Sequence, residues 1–438
     1  MSSSLQLAST AHRVATSATL EINERVLALR AEGRDVIHLG FGEASFPLLP
    51  ALREALAKSA TATAYGPVLG IAPLRQAIAD YLGRERGIAT TADRIAVGPG
   101  SKPLLYALVQ LLEGDVLVPA PSWVSYAPQI VLAERRVVPV ATDARDHHRV
   151  TPAALDAAVE RATAEGANPR VLIVNSPSNP TGGMFAAADV EALADWARRR
   201  HVTVISDEIY AELAHGIVPH VSPARFYPEG TIVTAGLSKS FSAGGWRLGY
   251  AVFPAGEGGT ALLSALRALA SEIWSSAAMP VQEAAVSAFL PSDEVSTYVK
   301  RSARLHGHTA GRLFKGLTGL GIACPRPAGA FYLYPDFAPF RAELARVGVH
   351  GGLELARYLL EKHHIATLPG VAFGDAPEAL RLRLAVSGLY EPGEALHVDL
   401  LKRTDAFASA DPLDAAPLSL PLLERAVAAF GEVVRAFR

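Results

Sequence analysis

Only seven of the 41 Lys and Arg residues in this 438-residue chain are lysines, so chemistry that needs a primary amine has few candidates. Among Lys58, Lys102, Lys239, Lys300, Lys315, Lys362 and Lys402, one stands apart. Lys239 follows the apolar run 231–234 inside a Ser/Gly-rich loop, after Ser238 and eight residues before Arg247. The ends of four other apolar runs carry equally biased residues. Gly98-Pro99-Gly100-Ser101-Lys102 leads into a helical pattern, where backbone N–H groups and a helix N-terminus make an anion nest. Pro121-Ser122-Trp123-Val124-Ser125-Tyr126 sets a large flat ring beside a strand end. Asn175-Ser176-Pro177-Ser178-Asn179-Pro180 is a rigid turn able to aim an amide. In Ser206-Asp207-Glu208-Ile209-Tyr210, Asp207 and Tyr210 share one face if a helical turn begins there. Each feature has a plain structural alternative: a steric glycine turn, a core tryptophan, an N-capping aspartate, a surface lysine. Together they match a ligand with a phosphate, a planar ring with a basic nitrogen, a phenolic oxygen and an aldehyde. Pyridoxal phosphate is that ligand, held by a lysine Schiff base with an aspartate on the ring nitrogen.

The elements that must position these residues are short β-rich runs at 94–97, 115–118, 136–140, 170–174, 202–205, 231–234 and 249–253. Helical patterns such as 102–112 and 189–200 lie between several of them. Fully apolar strands separated by helices predict an α/β fold with a mainly parallel, doubly covered sheet, and ligands of such sheets bind outside the carboxyl ends of the strands. Helices are expected at 20–31, 50–59, 292–317 and from about 421, and strands near 330–334 and 380–386. The resulting division is an N-terminal arm and start of a small domain (1–46), a large cofactor-binding domain (47–290) and a C-terminal part of the small α+β domain (291–438). Residues 388–421 are rich in Pro, Asp and Ala, and read as an irregular surface excursion with at most a helical turn or two.

Composition removes several classes of function. Half the residues are apolar and 19% are charged, which suits a folded core rather than a disordered chain. A net charge of −2 offers no basic excess for nucleic acid or acidic lipid. Cys324 is the single cysteine, the first twenty residues lack a basic-then-apolar pattern, and no run of about eighteen apolar residues occurs. Neither secretion nor membrane insertion is expected, and the cytoplasm is the expected compartment. No metal enters this reading.

The chain also resembles the fold-type I, class I/II aminotransferases, and within them the bacterial-type aspartate aminotransferase branch. The blocks that carry the resemblance run in the family's order from about residue 17 to 390. They are Ser17-Ala18-Thr19, Leu39-Gly40-Phe41-Gly42-Glu43, Tyr65-Gly66-Pro67-Val68-Leu69-Gly70, Gly100-Ser101-Lys102, Pro121 to Tyr126, Asn179-Pro180-Thr181-Gly182, Ser206 to Tyr210, Ser238-Lys239, Gly245 to Tyr250 and Arg383-Leu384. The resemblance implies a homodimer that moves an amino group between an L-amino acid and a 2-oxo acid by ping-pong half-reactions, with an acidic substrate such as aspartate favoured. It implies that Lys239 bonds to the cofactor and then, as free amine, carries the α-proton. Asp207 would keep the ring nitrogen protonated, and Tyr210 and Asn179 would bind the phenolic oxygen. Gly100, Ser101, Lys102, Ser238 and Arg247 would hold the phosphate side, with Tyr65 reaching it from the other subunit. Trp123 would stack on the ring. Arg383 would clamp the substrate carboxylate, assisted by Asn179 and the Gly42 backbone. Lys102 and Thr19 stand where the aspartate-specific branch binds a distal carboxylate. The chain departs from the family's pattern at Ala44-Ser45, where Pro-Asp is common, and at Gly244, where Thr is common. Elimination, cyclisation or oxidation of an amino acid is the alternative chemistry. A non-catalytic sensor is less favoured, because relatives of that kind carry a DNA-binding module that only about 45 residues leave no room for.

Overall fold

The computed structural model describes residues 5–8, 12–216, 218–407 and 411–437. Parts of two predicted segments, 1–4 and 9–11 of the arm and 408–410 of the excursion, therefore lie outside the described residues. The chain opens with α1 (Ala18–Ala31), β1 (Ile37–His38), α2 (Pro50–Ser59) and α3 (Ala72–Tyr81). An alternating stretch follows: β2 (Ile95–Gly98), α4 (Ser101–Leu111), β3 (Asp115–Ala120), α5 (Tyr126–Leu132), β4 (Val137–Ala141), α6 (Pro152–Ala164), β5 (Pro169–Asn175), α7 (Ala187–Arg200), β6 (Thr203–Asp207), β7 (Thr231–Gly236) and β8 (Gly249–Val252). Next come α8 (Glu257–Ile273), α9 (Met279–Phe289), α10 (Asp293–Gly319), β9 (Tyr332–Leu333), α11 (Arg341–Arg346), α12 (Gly352–His363), β10 (Ile365–Ala366), β11 (Leu368–Pro369) and β12 (Leu382–Ala385). The last helices are α13 (Glu394–Arg403) and α14 (Pro421–Phe437).

All seven predicted runs join one sheet in the order β2-β8-β7-β6-β5-β3-β4, parallel except for β8. The period of two explains its double cover. Val171 and Ile173 of β5 pack with Leu104, Leu108, Ile130 and Leu266, which come from α4, α5 and α8. Leu172 and Val174, on the opposite face, pack with Leu155, Leu193 and Trp196 of α6 and α7. Both faces are buried, so the strands are mainly apolar and the charged groups sit toward their ends, with the small hydroxyls of Ser206 and Thr234 as the buried polar side chains inside β6 and β7. The connections turn one way after β3 and the other way after β5, which opens a crevice at the carboxyl ends of these two strands.

The N- and C-terminal parts meet in a separate layer. Ile37 and His38 of β1 pair in parallel with Ile365 and Ala366 of β10, and β12 lies between β11 and β9. Leu39, Leu313, Leu333, Leu384 and Phe430 share its core.

Segment 388–421 is more ordered than its composition suggests. It contains the ten-residue helix α13, and the turns Thr404–Ala406 and Pro412–Asp414 pack on α10. Leu400, Leu401, Leu413 and Leu420 are buried. The cause is α10 itself, where a Cβ on Gly311 would collide with Leu413. Along the same helix, His308 Nδ1 bonds the Pro412 carbonyl at 3.1 Å and His308 Nε2 accepts from the Leu418 amide at 3.2 Å. Lys315 donates to the Leu413 carbonyl at 2.8 Å. His308→Ala removes two of these anchors, at a cost of about 1–3 kcal/mol. Limited proteolysis is expected to cut the variant within 404–420 faster than the parent, and equal cutting would show that the apolar contacts alone hold the segment.

Candidate active site

The strand ends converge on a cavity of about 320 Å³, within the range of small-molecule sites. Gly42, Ser101, Lys102, Trp123, Asn179, Asp207, Tyr210, Ser238, Lys239, Arg247 and Arg383 all line it, as do Thr19, Glu43 and Gly244. Two predicted residues differ. Gly100 sits just behind the lining, and Tyr65 is 95% exposed and stands apart from the cavity of its own chain.

Local geometry shows why glycine is needed at the first turn. Gly100 has φ +98°, and a Cβ there would run into the Arg247 guanidinium. A Cβ on Gly249 of β8 would run into the Ser101 amide. These absences bring the N-terminus of α4 and Arg247 together at one end of the cavity. Free amides, a helix dipole and a guanidinium at one place fit a phosphate. Lys102 Nζ lies 5.0 Å from the centre of the Trp123 ring, and burial followed by the nearby Arg247 lowers its pKa.

At the other end, Asp207 closes β6 with 3% of its surface exposed. Its Oδ2 accepts the Tyr126 hydroxyl at 2.7 Å and its Oδ1 accepts the Ile209 amide at 3.3 Å. Burial pushes its pKa up to about 6, against the pull of those two hydrogen bonds. It forms no ion pair within 4 Å among the described residues. A buried carboxyl that faces the cavity with no cation in contact with it, Lys239 acting only at longer range, fits a ligand that brings its own positive charge, as a protonated ring nitrogen does. The Asn175 amide at the end of β5 donates to the Asp207 carbonyl at 2.8 Å and accepts the Asn179 amide at 2.7 Å, which links two strand ends and the Asn-Pro turn.

Between these ends, Lys239 Nζ donates to the Gly42 carbonyl at 2.8 Å. Its pKa falls from 10.5 to about 8, first through burial and then through Arg383, Arg247 and Lys102, while Glu43 opposes the shift. Tyr210 shares a 2.8 Å hydrogen bond with the Tyr332 hydroxyl, and burial raises its pKa. Arg383 is fully buried. It donates to the Gly40 carbonyl and, at 3.4 Å, to Asn179 Oδ1, and its guanidinium rests 4.9 Å from the Tyr332 ring centre. Its Nε and the Thr19 hydroxyl are both buried without hydrogen-bond partners among the described residues.

Sequence reasoning did not single out Tyr126, Asn175 and Tyr332. Asn175 was detectable as the polar residue ending β5 opposite Asp207, whereas the Tyr126 and Tyr332 contacts span 81 and 122 residues.

Comparison with known proteins agrees with this geometry. Residues 34–389 match the family model described as aminotransferase class I and II. The chain belongs to that family. The aspartate aminotransferase of Geobacillus stearothermophilus is 35% identical over 392 residues, covering 87% of this chain and 95% of that protein. The asparagine–oxo-acid transaminase of Streptococcus mutans is 31% identical, covering 84% and 92%. The solved aspartate aminotransferase of Thermus thermophilus with maleate superposes with a TM-score of 0.80 at 30% identity, covering 91% of this chain and 98% of that one. The present chain is accordingly a pyridoxal-phosphate-dependent aminotransferase acting on small amino and oxo acids.

An amine with a pKa near 8 is half neutral in mild base. Competitive acetylation of the cofactor-free protein, read by mass spectrometry, is expected to label Lys239 with a midpoint near pH 8. The exposed Lys58 side chain is the internal reference, and a Lys239 midpoint above pH 10 would contradict the electrostatics described.

Proposed function

We propose that this aminotransferase takes an acidic amino acid, aspartate in the first instance, and returns the amino group to a 2-oxo acid in a second half-reaction. The observation that carries the reading is the pair of unpartnered buried groups, Arg383 Nε and Thr19 Oγ1, lining one cavity with the second cation Lys102. A substrate with two carboxylates satisfies both ends.

When bound, pyridoxal phosphate supplies an aldehyde that receives the amino group and a protonated ring that withdraws electrons from the α-carbon. The protein's own groups supply the rest. Lys239 would be the amine that holds the cofactor, and as a free amine it would move the proton at the substrate α-carbon. Its depressed pKa suits both roles, because an amine that is neutral near working pH is nucleophilic and accepts a proton readily. Asp207, oriented by Tyr126 and by the Asn175 bond to its backbone carbonyl, would keep the ring nitrogen protonated. Tyr210 and Asn179 would hold the phenolic oxygen, Trp123 would stack on the ring, and Gly100, Ser101, Lys102, Ser238 and Arg247 would hold the phosphate. Arg383 binds the α-carboxylate in a planar, two-pronged geometry with the Gly42 backbone and Asn179 beside it.

The same reading divides the chain at residues 46/47 and 290/291, the first and last parts forming the small domain. It makes the protein a homodimer, since Tyr65 stands almost fully exposed and away from its own cavity, free to complete a partner's phosphate site. The cytoplasm is the proposed compartment. Among the described residues no helix is long and apolar enough to cross a membrane.

The deciding experiment follows the absorbance of the cofactor-loaded enzyme while aspartate and other L-amino acids are titrated in. The visible band is expected to fall most readily with aspartate and to return on adding a 2-oxo acid. Ammonia release or oxygen uptake in its place would replace transamination with elimination or oxidation. Lys239→Ala is expected to abolish turnover in a folded protein, and retained turnover would overturn the assignment. Arg383→Lys is expected to lower kcat/KM about 10- to 100-fold, the worth of one charged hydrogen bond, and an unchanged value would remove Arg383 from carboxylate binding.

A further inference from the structure

Behind the sheet ends lies a buried polar cluster that no step above uses. After Tyr81 the helix α3 closes in a wide, π-type turn (Leu82–Arg86) that ends at Gly87 with φ +63°. This turn delivers the Arg86 guanidinium, whose side chain is 6% exposed, between two carboxylates. Arg86 Nη1 donates to Glu208 Oε2 at 2.9 Å, and its Nε donates to Glu212 Oε1 at 3.1 Å, with Nη2 on the same oxygen. Both carboxylates are fully engaged elsewhere. Glu208 also takes Ser206 at 3.0 Å, His220 at 3.1 Å and the Ser222 hydroxyl, and Glu212 takes Tyr81 at 2.9 Å and Ser240 at 2.7 Å.

The sequence positions of these partners matter more than their number. Glu208 directly follows Asp207, and Ser240 directly follows Lys239. Asp207 and Lys239 line the cavity, whereas their neighbours turn away from it into the cluster. Burial alone would raise the Glu208 carboxyl, yet His220 and Arg86 hold it down to about 2, and Glu212 is likewise lowered against its burial by Arg86. Both anchors are therefore ionised, and the guanidinium fork is bonded to each through a separate nitrogen.

We propose that Arg86 is a positioning residue: through Glu208 and through Glu212–Ser240 it fixes the placement of Asp207 relative to Lys239, and so of the two groups that act at opposite ends of the cofactor ring. The proposal rests on the roles given to Asp207 and Lys239 above. A planar fork is required because two carboxylates must be held at fixed directions at once, which a lysine does not do. Displacements well under 1 Å at reacting groups change rates strongly, so a clamp of this kind acts on turnover rather than on substrate affinity.

The test uses the full-length, cofactor-loaded enzyme and three variants. Arg86→Lys keeps the charge and loses the fork; Ser240→Ala removes only the link to the Lys239 neighbour; Lys239→Ala reports on the underlying function. The expected result for the first two is a kcat lower by about 10- to 100-fold for Arg86→Lys and by less for Ser240→Ala, with KM little changed. In both, the pH midpoint of the bound cofactor's visible absorbance is expected to shift. The thermal transition of the cofactor-free protein measures folding separately. Wild-type kcat and an unmoved absorbance midpoint in folded Ser240→Ala and Arg86→Lys would overturn the proposal. A loss that merely follows the folded fraction, with the midpoint unmoved, would overturn it too. If Arg86→Lys does not fold, Ser240→Ala decides alone. Active Lys239→Ala would instead overturn the functional reading and leave the clamp without its purpose.

Discussion

The structure depends on one buried acid: the Asp207 carboxyl at the end of β6, which faces the cavity with no cation within 4 Å among the described residues and feels Lys239 only at longer range. Burying a carboxyl in this way is costly, and its pKa near 6 reports that cost. The surrounding fold is what makes the cost tolerable. Tyr126 comes from the first turn of α5 and the Ile209 amide from the turn beyond β6, and each binds one carboxyl oxygen, while Asn175 from the neighbouring strand holds the Asp207 backbone carbonyl. On the proposed assignment of Asp207 to the ring nitrogen, the cofactor's affinity and the aspartate's ionisation are two views of one coupling.

The sheet turns sequence periodicity into that arrangement. With both faces buried, alternation drives charged and large polar side chains to the strand ends, and the parallel order brings the ends of β3, β5, β6 and β7 to the same side. This is why the strands and the residues behind them were legible from local pattern: Lys239, Asp207, Asn179 and Gly100 each follow an apolar run with turn residues of a distinct type. What stayed hidden is held by distance in sequence. Neither the pairing of Tyr210 with Tyr332 nor the convergence of Arg86 on Glu208 and Glu212 leaves a mark in local spacing, because each joins elements more than 120 residues apart.

Segment 388–421 failed for a different reason. Its Pro, Asp and Ala content describes the loop ends, while the decisive feature lies on another element, the Gly311 groove and the polar side chains of α10 that receive it. The helix α13 between those ends has its own apolar side, with Leu400 and Leu401 buried, and composition averaged over more than thirty residues conceals it. The described residues of the segment form a packed layer over α10, whose other side joins the core beneath Phe331 and Tyr332.

Charge within the cavity links its two anion sites to the central amine. Lys102, Lys239, Arg247 and Arg383 face Glu43 and Asp207, a local positive excess in a chain whose net charge is −2. After burial, the cations Arg383, Arg247 and Lys102 are what hold Lys239 below its ordinary pKa. An anion placed on Arg247 or on Arg383 offsets that repulsion and favours the protonated amine. By linkage, a protonated Lys239 strengthens binding of either anion, and loss of its proton weakens it. An anion on Arg383 and a proton on the amine therefore bind cooperatively, and in the role proposed for Lys239 the amine would be best able to hold the α-proton when a substrate is in place.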